Sequence, residues 1–336
     1  MRFITPAILT FLIGVLVWQS LDIQSYQEYH VTEKTLSIGE KETFLQDIDI
    51  IQTPQDEKWL LQMMDSAQKN IQVAVYIFTV PSLRDALIRA QNRGVNVRVI
   101  LEKSPYNLTG INKETKKVFT DNKIAFYESD ERYFSFMHAK YMIFDEEWII
   151  STANWTRSSF SSNREFFLIG GDVRVLNELK TVFETDFNGR KGSFDTSILL
   201  IGPTHARERL IQFAQSSQKF LSLYTPSITD TEVISELRKI CNSGREIYII
   251  IDENEENIKS RIPGVQPKCP EIRMMKKPIL HAKSLIRDNE QAFVGSFNFT
   301  QNSLEKNREL GIFIEGASIS TIVNSFQKDW DKSIAF

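Results

Sequence analysis

The chain has 336 residues, 42% of them hydrophobic, enough for a sizeable core and for two domains of ordinary size. A net charge of −3 and a pI near 5.9 exclude a broad basic surface, so nucleic-acid binding would be confined to a cleft; a phosphate substrate is not excluded. Cys241 and Cys269 are too few for a disulfide scaffold and lack metal-ligand spacing, and neither a bridge between them nor a functional thiol is expected.

Met1-Arg2 precedes an uncharged apolar run at residues 3–18, which reads as a membrane-directing segment over residues 1–21. Without a small-x-small cleavage site after it, an uncleaved anchor is favoured over a removed signal. The basic residue before the run and Asp22, Glu28 and Glu33 after it put the body on the extracytoplasmic side, or outside the cell if the segment is removed. Residues 22–45 lack a sustained period and read as a linker. A short apolar run from Ile48 to Pro54 follows, then a helix carrying Trp59, Leu60, Met63, Met64 and Ala67 on one face. The β-branched stretch Ile71 to Phe78 predicts a strand, Leu83 to Arg93 a helix stopped by Gly94, and Asn96 to Leu101 a second strand. Strands are also expected at His138 to Phe144, Trp148 to Thr152 and Glu165 to Gly170.

The series then begins again. Ile198 to Pro203, a helix near Glu208 to Ser217, a helix Thr231 to Asn242, Gly244 and a strand Glu246 to Ile251 repeat the first half at an offset of 150. His138-Ala-Lys140 with Asp145 returns as His281-Ala-Lys283 with Asp288, 143 positions on. Asn154-Trp-Thr156 answers Asn298-Phe-Thr300, and Asn163-Arg-Glu165 answers Asn307-Arg-Glu309, 144 positions on. A register held over so many residues predicts two homologous α/β half-domains, 46–190 and 191–336, each a mixed, mostly parallel sheet flanked by helices. Packed about a pseudo-two-fold axis they would bring both motifs into one site, so a single chain would act as a pseudo-dimer.

Residues two apart on a strand face the same side, so each histidine would project with its lysine. A lone His-x-Lys is ordinarily a solvated strand face; two copies with Asn and Glu in register read as a site. Two histidines, two lysines and two asparagines suit a phosphodiester. Cations and amides hold its non-bridging oxygens, and imidazole can serve as nucleophile in one step and proton donor in another. Asp145 and Asp288 read as structural, holding turns. His30 and His205 have no partners in register and read as incidental. Asn107-Leu-Thr109 and both motif Asn-x-Thr triplets also spell glycosylation acceptors, but asparagines serving phosphate are not free to carry glycans.

The repeated His-x-Lys-(x4)-Asp, followed by a Gly-Ser-x-Asn type turn, resembles the phospholipase D superfamily across residues 48 to 330. Gly295-Ser296-Phe297-Asn298 matches the turn in full, whereas Ser151-Thr152-Ala153-Asn154 replaces Gly by Ser and Ser by Thr. The resemblance implies a two-step mechanism without metal or other cofactor. His138 would form a covalent phosphohistidine, and His281 would act as general acid and then base. Lys140, Lys283, Asn154, Asn298, Thr152 and Ser296 would bind phosphate, with Glu165 and Glu309 each fixing a histidine tautomer.

Two substrates stay open. The membrane segment, the aromatic run Tyr133-Phe134-Ser-Phe136 and the lack of basic surface favour a phospholipid; core packing is the plain alternative for those aromatics. The Asn-x-Thr continuation resembles the nuclease-like branch rather than the Asn-x-x-x-Arg-Ser form of cardiolipin synthases, which favours a nucleic-acid phosphodiester and weighs against a phosphatidyl transferase. A scaffold with a dead site is disfavoured by two intact copies. Lys113, Lys116 and Lys117, and Lys276 with Lys277, precede the two motifs and would form a basic rim.

Overall fold

The computed structural model describes residues 42–129, 131–194, 196–253 and 269–335. The apolar segment, His30 and nearly all of the expected linker lie outside the described residues. The linker ends sooner than its composition suggests. Thr43 N donates to Ser197 O and Leu45 N to Phe313 O, so this stretch already lies on the second half.

The first half runs β1 (Asp49–Gln52), α1 (Lys58–Ser66), β2 (Asn70–Val75), α2 (Pro81–Asn92), β3 (Asn96–Leu101), α3 (Lys113–Asp121) and β4 (Ala125–Glu128). It continues with β5 (Tyr141–Phe144), β6 (Glu147–Ser151), α4 (Arg157–Ser161), β7 (Asn163–Arg164), β8 (Phe166–Gly170) and α5 (Val173–Phe187). The second half opens with β9 (Leu199–Ile201), α6 (Ala206–Gln215), β10 (Phe220–Tyr224), α7 (Thr231–Asn242), β11 (Glu246–Asp252) and β12 (Glu271–Met275). Then come β13 (Ile279–Leu280), β14 (Ser284–Arg287), β15 (Gln291–Gly295), α8 (Gln301–Glu305), β16 (Leu310–Glu315), α9 (Ser320–Lys332) and β17 (Ile334–Ala335).

Local chemistry explains the boundaries. Pro81 starts α2 with its φ already set, and Gly94, at φ +90°, lets the chain leave that helix in the left-handed region. Asp172 and Asp230 cap α5 and α7 by accepting from the first free backbone N–H groups. The threonines of the two Asn-x-Thr triplets, Thr156 and Thr300, cap α4 and α8 in the same way.

The sheets are ordered β1-β8-β6-β5-β2-β3-β4 and β17-β12-β11-β10-β14-β15-β16-β9. In the first, β1, β2, β3, β4 and β6 run one way and β5 and β8 the other. In the second, β9, β10, β11, β12 and β15 run one way and β14, β16 and β17 the other. Both are therefore mixed sheets with most strands in one direction, and the β2-α2-β3 and β10-α7-β11 units supply parallel neighbours.

Alternation along the strands separates three apolar layers. Ile71, Val73 and Val75 of β2 meet α1 and α2, while Ala74 faces a central core. That central core draws Trp148, Ile150, Phe166 and Leu168 from one sheet, Ile250, Ile312 and Ile314 from the other, and buried faces of α5 and α9. A third layer joins α6 and α7 to the far side of the second sheet through Leu210, Phe213, Leu237 and Phe293.

One expectation is overturned: Cys241 and Cys269 form a disulfide, with Cα atoms 5.8 Å apart. The parallel pairing of β11 with β12, Tyr248 opposite Glu271, brings Cys269, two residues before β12, back beside the end of α7. A separation of 28 residues along the chain conceals that proximity.

Candidate active site

Asp145 and Asp288 hold the frame on which the site is built. Each sits at positive φ, 44° and 55°, in the hairpin after a motif. Asp145 Oδ1 accepts from Lys69 N and Asn70 N at 2.8 and 2.7 Å, and Oδ2 from Gln68 N at 2.8 Å. Asp288 repeats this on Gln218, Lys219 and Phe220. Burial raises both carboxyls, but these three N–H donors outweigh it and hold them below the usual carboxylate range.

The motif strands are shorter than the sequence suggests. Residues 138–140 precede β5 as extended chain, because the histidine lead-ins pair with the opposite half instead. β13, just before His281, pairs in parallel with β7 of the first half, and Met137 bridges Arg308 of the second. His281 N donates to Arg164 O at 3.2 Å and His138 N to Arg308 O at 2.8 Å. Each Asn-Arg-Glu segment thus seats the other half's histidine.

The side chains cross in the same sense. His138 Nδ1 lies 2.9 Å from both oxygens of Glu309, and His281 Nδ1 lies 2.6 Å from Glu165 Oε1. Both carboxylates are fully buried, whereas the histidine side chains keep 13% and 26% of their surface exposed, so the rings alone of these four face the cleft. Behind them, Thr152 Oγ1 donates to Glu165 Oε2 at 2.7 Å and Ser296 Oγ to Glu309 Oε2 at 2.5 Å. Asn163 and Asn307 also donate to these carboxylates, and Ser303 joins Glu309. Thr152 and Ser296 were expected to touch phosphate. Their hydroxyls instead donate to the carboxylates and accept from Phe166 N and Leu310 N, so the phosphate role is corrected to one of orienting the carboxylates.

Arg164 and Arg308 fix the crossing. Arg164 pairs with Asp329 of α9 at 2.7 Å, and Arg308 with Asp186 of α5 at 2.9 Å, again from half to half and again buried. Arg308 also donates to Gly202 O at 2.6 Å, and Arg164 to Thr53 O. The sequence displayed these arginines in register, but nothing in it named their acidic partners, which are remote along the chain.

Lys140 and Lys283 lie buried beside the histidines, each Nζ donating to the carbonyl of the histidine two residues earlier. Lys283 Nζ also stands 3.1 Å from both ring nitrogens of His281. Burial pulls Lys140 down to about 7 and Lys283 to about 8, with the facing carboxylates opposing the shift. His138 is pulled to about 4 by burial, and His281 is lowered from the same cause, Glu309 and Glu165 acting in the opposite sense. Burial would raise the two glutamates, yet the adjoining histidines and lysines keep them low. The result is a neutral His138 set against the Glu309 anion, with His281 held against the Glu165 anion. Oδ1 of Asn154 and of Asn298, at matched positions, is buried without a protein hydrogen-bond partner among the described residues. Such orphaned atoms in register mark where a polar ligand would complete the site.

The halves are not identical around the histidines. Tyr76 packs edge-on against His138 at 4.8 Å, and Lys140 Nζ lies 5.5 Å above its ring. The corresponding position in the second half is Pro226. Glu102 anchors the approach to His138 by accepting from Met137 N and Ser129 Oγ at 2.7 Å. Phe134 is buried in the central core, as the plain reading of its aromatic run has it, while Phe136 turns toward Tyr76. His205 begins α6 without a side-chain cap. Among the described residues no helix is long and apolar enough to cross a membrane.

A sequence profile described as "Cardiolipin synthase, PLD-like domain" matches twice, at residues 60–187 and 210–330. The major cardiolipin synthase of Bacillus subtilis (strain 168) is 24% identical over 334 residues, covering 84% of this chain and 68% of that protein. The mitochondrial cardiolipin hydrolase of Mus musculus is 29% identical over 140 residues, covering 40% of this chain and 61% of the hydrolase. Among solved structures, phosphatidylserine synthase from Haemophilus influenzae Rd KW20 superposes with a TM-score of 0.67 at 12% identity, covering 88% of this chain and 89% of that one. A polyphosphate kinase from Porphyromonas gingivalis also reaches 0.67, at 15% identity, over 83% of this chain and 50% of its own. At those identities the likeness is one of fold.

Proposed function

The chain belongs to the phospholipase D superfamily, and from that premise we propose that it is a phosphodiesterase that opens the head-group phosphodiester of a glycerophospholipid through a phosphohistidine. The observation that carries this reading is the reciprocal crossing of Glu309 to His138 and Glu165 to His281, each carboxylate meeting Nδ1 of the other half's ring and leaving the opposite edge of that ring turned away from it. His138 Nε2 attacks phosphorus as the bond to the head-group oxygen breaks, and His281, entering this step as the imidazolium, delivers its proton to that oxygen and is left neutral. In the second step His281 takes a proton from water, the resulting hydroxide attacks phosphorus, and the N–P bond breaks to release phosphatidic acid. A neutral His138 is the form that can attack, in keeping with its lowered pKa. Lys140, Lys283, Asn154 and Asn298 are assigned to the phosphoryl oxygens.

The likeness to a cardiolipin synthase supports a second reading, in which an alcohol replaces water in the second step. The Asn-x-Thr continuation does not separate these branches, since in this chain its threonines serve as helix caps. For the body of the protein we propose an extracytoplasmic or otherwise oxidising location, supported by the Cys241–Cys269 disulfide.

The test is turnover of dispersed short-chain phosphatidylglycerol by the full chain in detergent, with and without glycerol and with chelator present. Phosphatidic acid formed by wild type and not by His138→Asn supports hydrolysis; a phosphatidyl-alcohol product favours transfer. Nicking of DNA or RNA without lipid turnover would overturn the lipid reading.

A further inference from the structure

Among the described residues, the largest group of exposed apolar side chains on one loop stands next to the candidate active site. Tyr106 is 69% exposed, Leu108 46% and Ile111 38%, all between β3 and α3. Ile279, 43% exposed, immediately precedes the His281 segment on the other half. The position corresponding to Ile279 in the first half is Phe136, and its ring stacks in sequence with the loop and the site. Ring centroids run from Tyr106 to Phe136 at 6.4 Å, from Phe136 to Tyr76 at 6.0 Å, and from Tyr76 to His138 at 4.8 Å.

This exposure is built, not slack. Asn112 is buried at the end of the loop, where it donates to Tyr76 O and Glu102 O and accepts from Phe78 N. Tyr106 N donates to Tyr76 Oη at 2.6 Å, and turns at Leu108 and Ile111 close on Pro105 O and Leu108 O at 3.0 Å. Asn107 and Gly110 adopt positive φ to make those turns. A loop this well tied could have folded Leu108 and Ile111 inward, yet it presents them to solvent. The stretch 103–117 carries Lys103, Lys113, Lys116 and Lys117 with Glu114; Lys116 is paired with Glu128 at 2.6 Å and Lys117 with Asp121 at 2.5 Å. Lys103 and Lys113 make no ion pair among the described residues. Ile279 follows Lys276, which pairs with Glu253 at 3.4 Å, and Lys277.

We propose that the 103–113 loop, with Ile279 two residues before His281, is a docking surface for an anionic phospholipid bilayer and sets the candidate site at the lipid head groups. The proposal rests on the phospholipid reading above and adds how the site meets its substrate. Aromatic and aliphatic side chains flanked along the chain by Lys103 and Lys113 match the interface of such a bilayer, where apolar groups enter the acyl boundary and ammonium groups meet lipid phosphates. A protein partner would find the same apolar residues, but Lys103 and Lys113, without ion pairs among the described residues, favour an anionic surface, and the aromatic series leads from that surface to His138.

The test uses the full chain carrying His138→Asn, so that binding is read without turnover. With both native cysteines in a disulfide, Leu108→Cys provides a thiol for an environment-sensitive dye, and Asp331→Cys on α9 serves as control. On phosphatidylglycerol-containing vesicles the dye at 108 should brighten and shift to the blue, while pure phosphatidylcholine vesicles and the control position leave it unchanged. A dye at 108 that stays aqueous on vesicles that sediment with the protein would overturn the proposal, as would failure to bind the vesicles. In the active chain, Leu108→Ser with Ile111→Ser should lower turnover of vesicle substrate about 100-fold, the order expected from withdrawing two apolar side chains from lipid. Turnover of dispersed short-chain substrate should stay unchanged; equal loss on both forms would overturn docking. If wild type turns over neither form, the phosphodiesterase reading falls, while the dye still decides the docking surface.

Discussion

Replacing Glu309 by Gln isolates the contribution of a carboxylate supplied by the opposite half. The side chain keeps its volume and can still meet Ser296 and Asn307, but the anion 2.9 Å from His138 Nδ1 is gone. As His138 bonds to phosphorus its ring gains positive charge, and a buried carboxylate centred roughly 4 Å away stabilises that charge by about 4 kcal/mol at an effective dielectric of about 20. Removing it should slow formation of the phosphohistidine by about 10²- to 10³-fold, allowing for the hydrogen bonds that glutamine retains. Glu309 is fully buried behind the ring and does not reach the cleft, so kcat should fall with KM nearly unchanged. The assay is pre-steady-state turnover of dispersed phosphatidylglycerol, with the thermal midpoint measured alongside. A folded Glu309→Gln chain with kcat within about threefold of wild type would refute the claim that this carboxylate supports the nucleophile.

Acid should destabilise the fold through the same groups. His138 has a folded pKa of about 4 against an ordinary value of 6.5, so its contribution is whole above pH 6.5 and is lost as pH falls toward 4. That loss is about 3 kcal/mol, and His281, Glu165 and Glu309, all held low, act in the same direction; urea midpoints at pH 7 and 4.5 measure it, and His138→Asn should flatten the slope. Asp186→Ala leaves the Arg308 guanidinium buried without its partner and should cost about 3–5 kcal/mol by chemical denaturation, together with activity, since Arg308 O seats His138 N. Cys241→Ser opens a loop closed over a separation of 28 residues and should cost about 3–4 kcal/mol by the chain-entropy relation, read as a lowered denaturation midpoint under oxidising conditions.

What the sequence made legible was whatever recurs. Two copies of His-x-Lys, Asn and Glu at near-constant offset announced two half-domains and one composite site, and β2-α2-β3 with β10-α7-β11 follow from plain periodicity and glycine stops. Partners across the halves were illegible, because pairs such as His138–Glu309 and Arg164–Asp329 lie 171 and 165 residues apart and nothing local distinguishes them from pairs within one half. Thr152 and Ser296 were misassigned for a related reason: a hydroxyl beside a site asparagine can face ligand or carboxylate, and only the fold shows that it faces Glu165 or Glu309. The departures in the first turn also gain a reason. At Gly295 an added Cβ would lie 2.6 Å from Gly311 Cα, so glycine is required there, whereas Ser151 sits opposite Phe167 and accommodates its side chain. The disulfide escaped notice because a strand pairing, not the spacing of its cysteines, brings its ends together.

The most direct test of the composite site is to trap its covalent intermediate. The full chain would be mixed with dispersed phosphatidylglycerol for milliseconds, quenched under conditions that preserve phosphohistidine, digested, and its adduct mapped by mass spectrometry. The account predicts a phosphatidyl adduct on His138 in the wild-type chain, absent from His138→Asn. Turnover without any histidine adduct, or with His138→Asn still active, would contradict it.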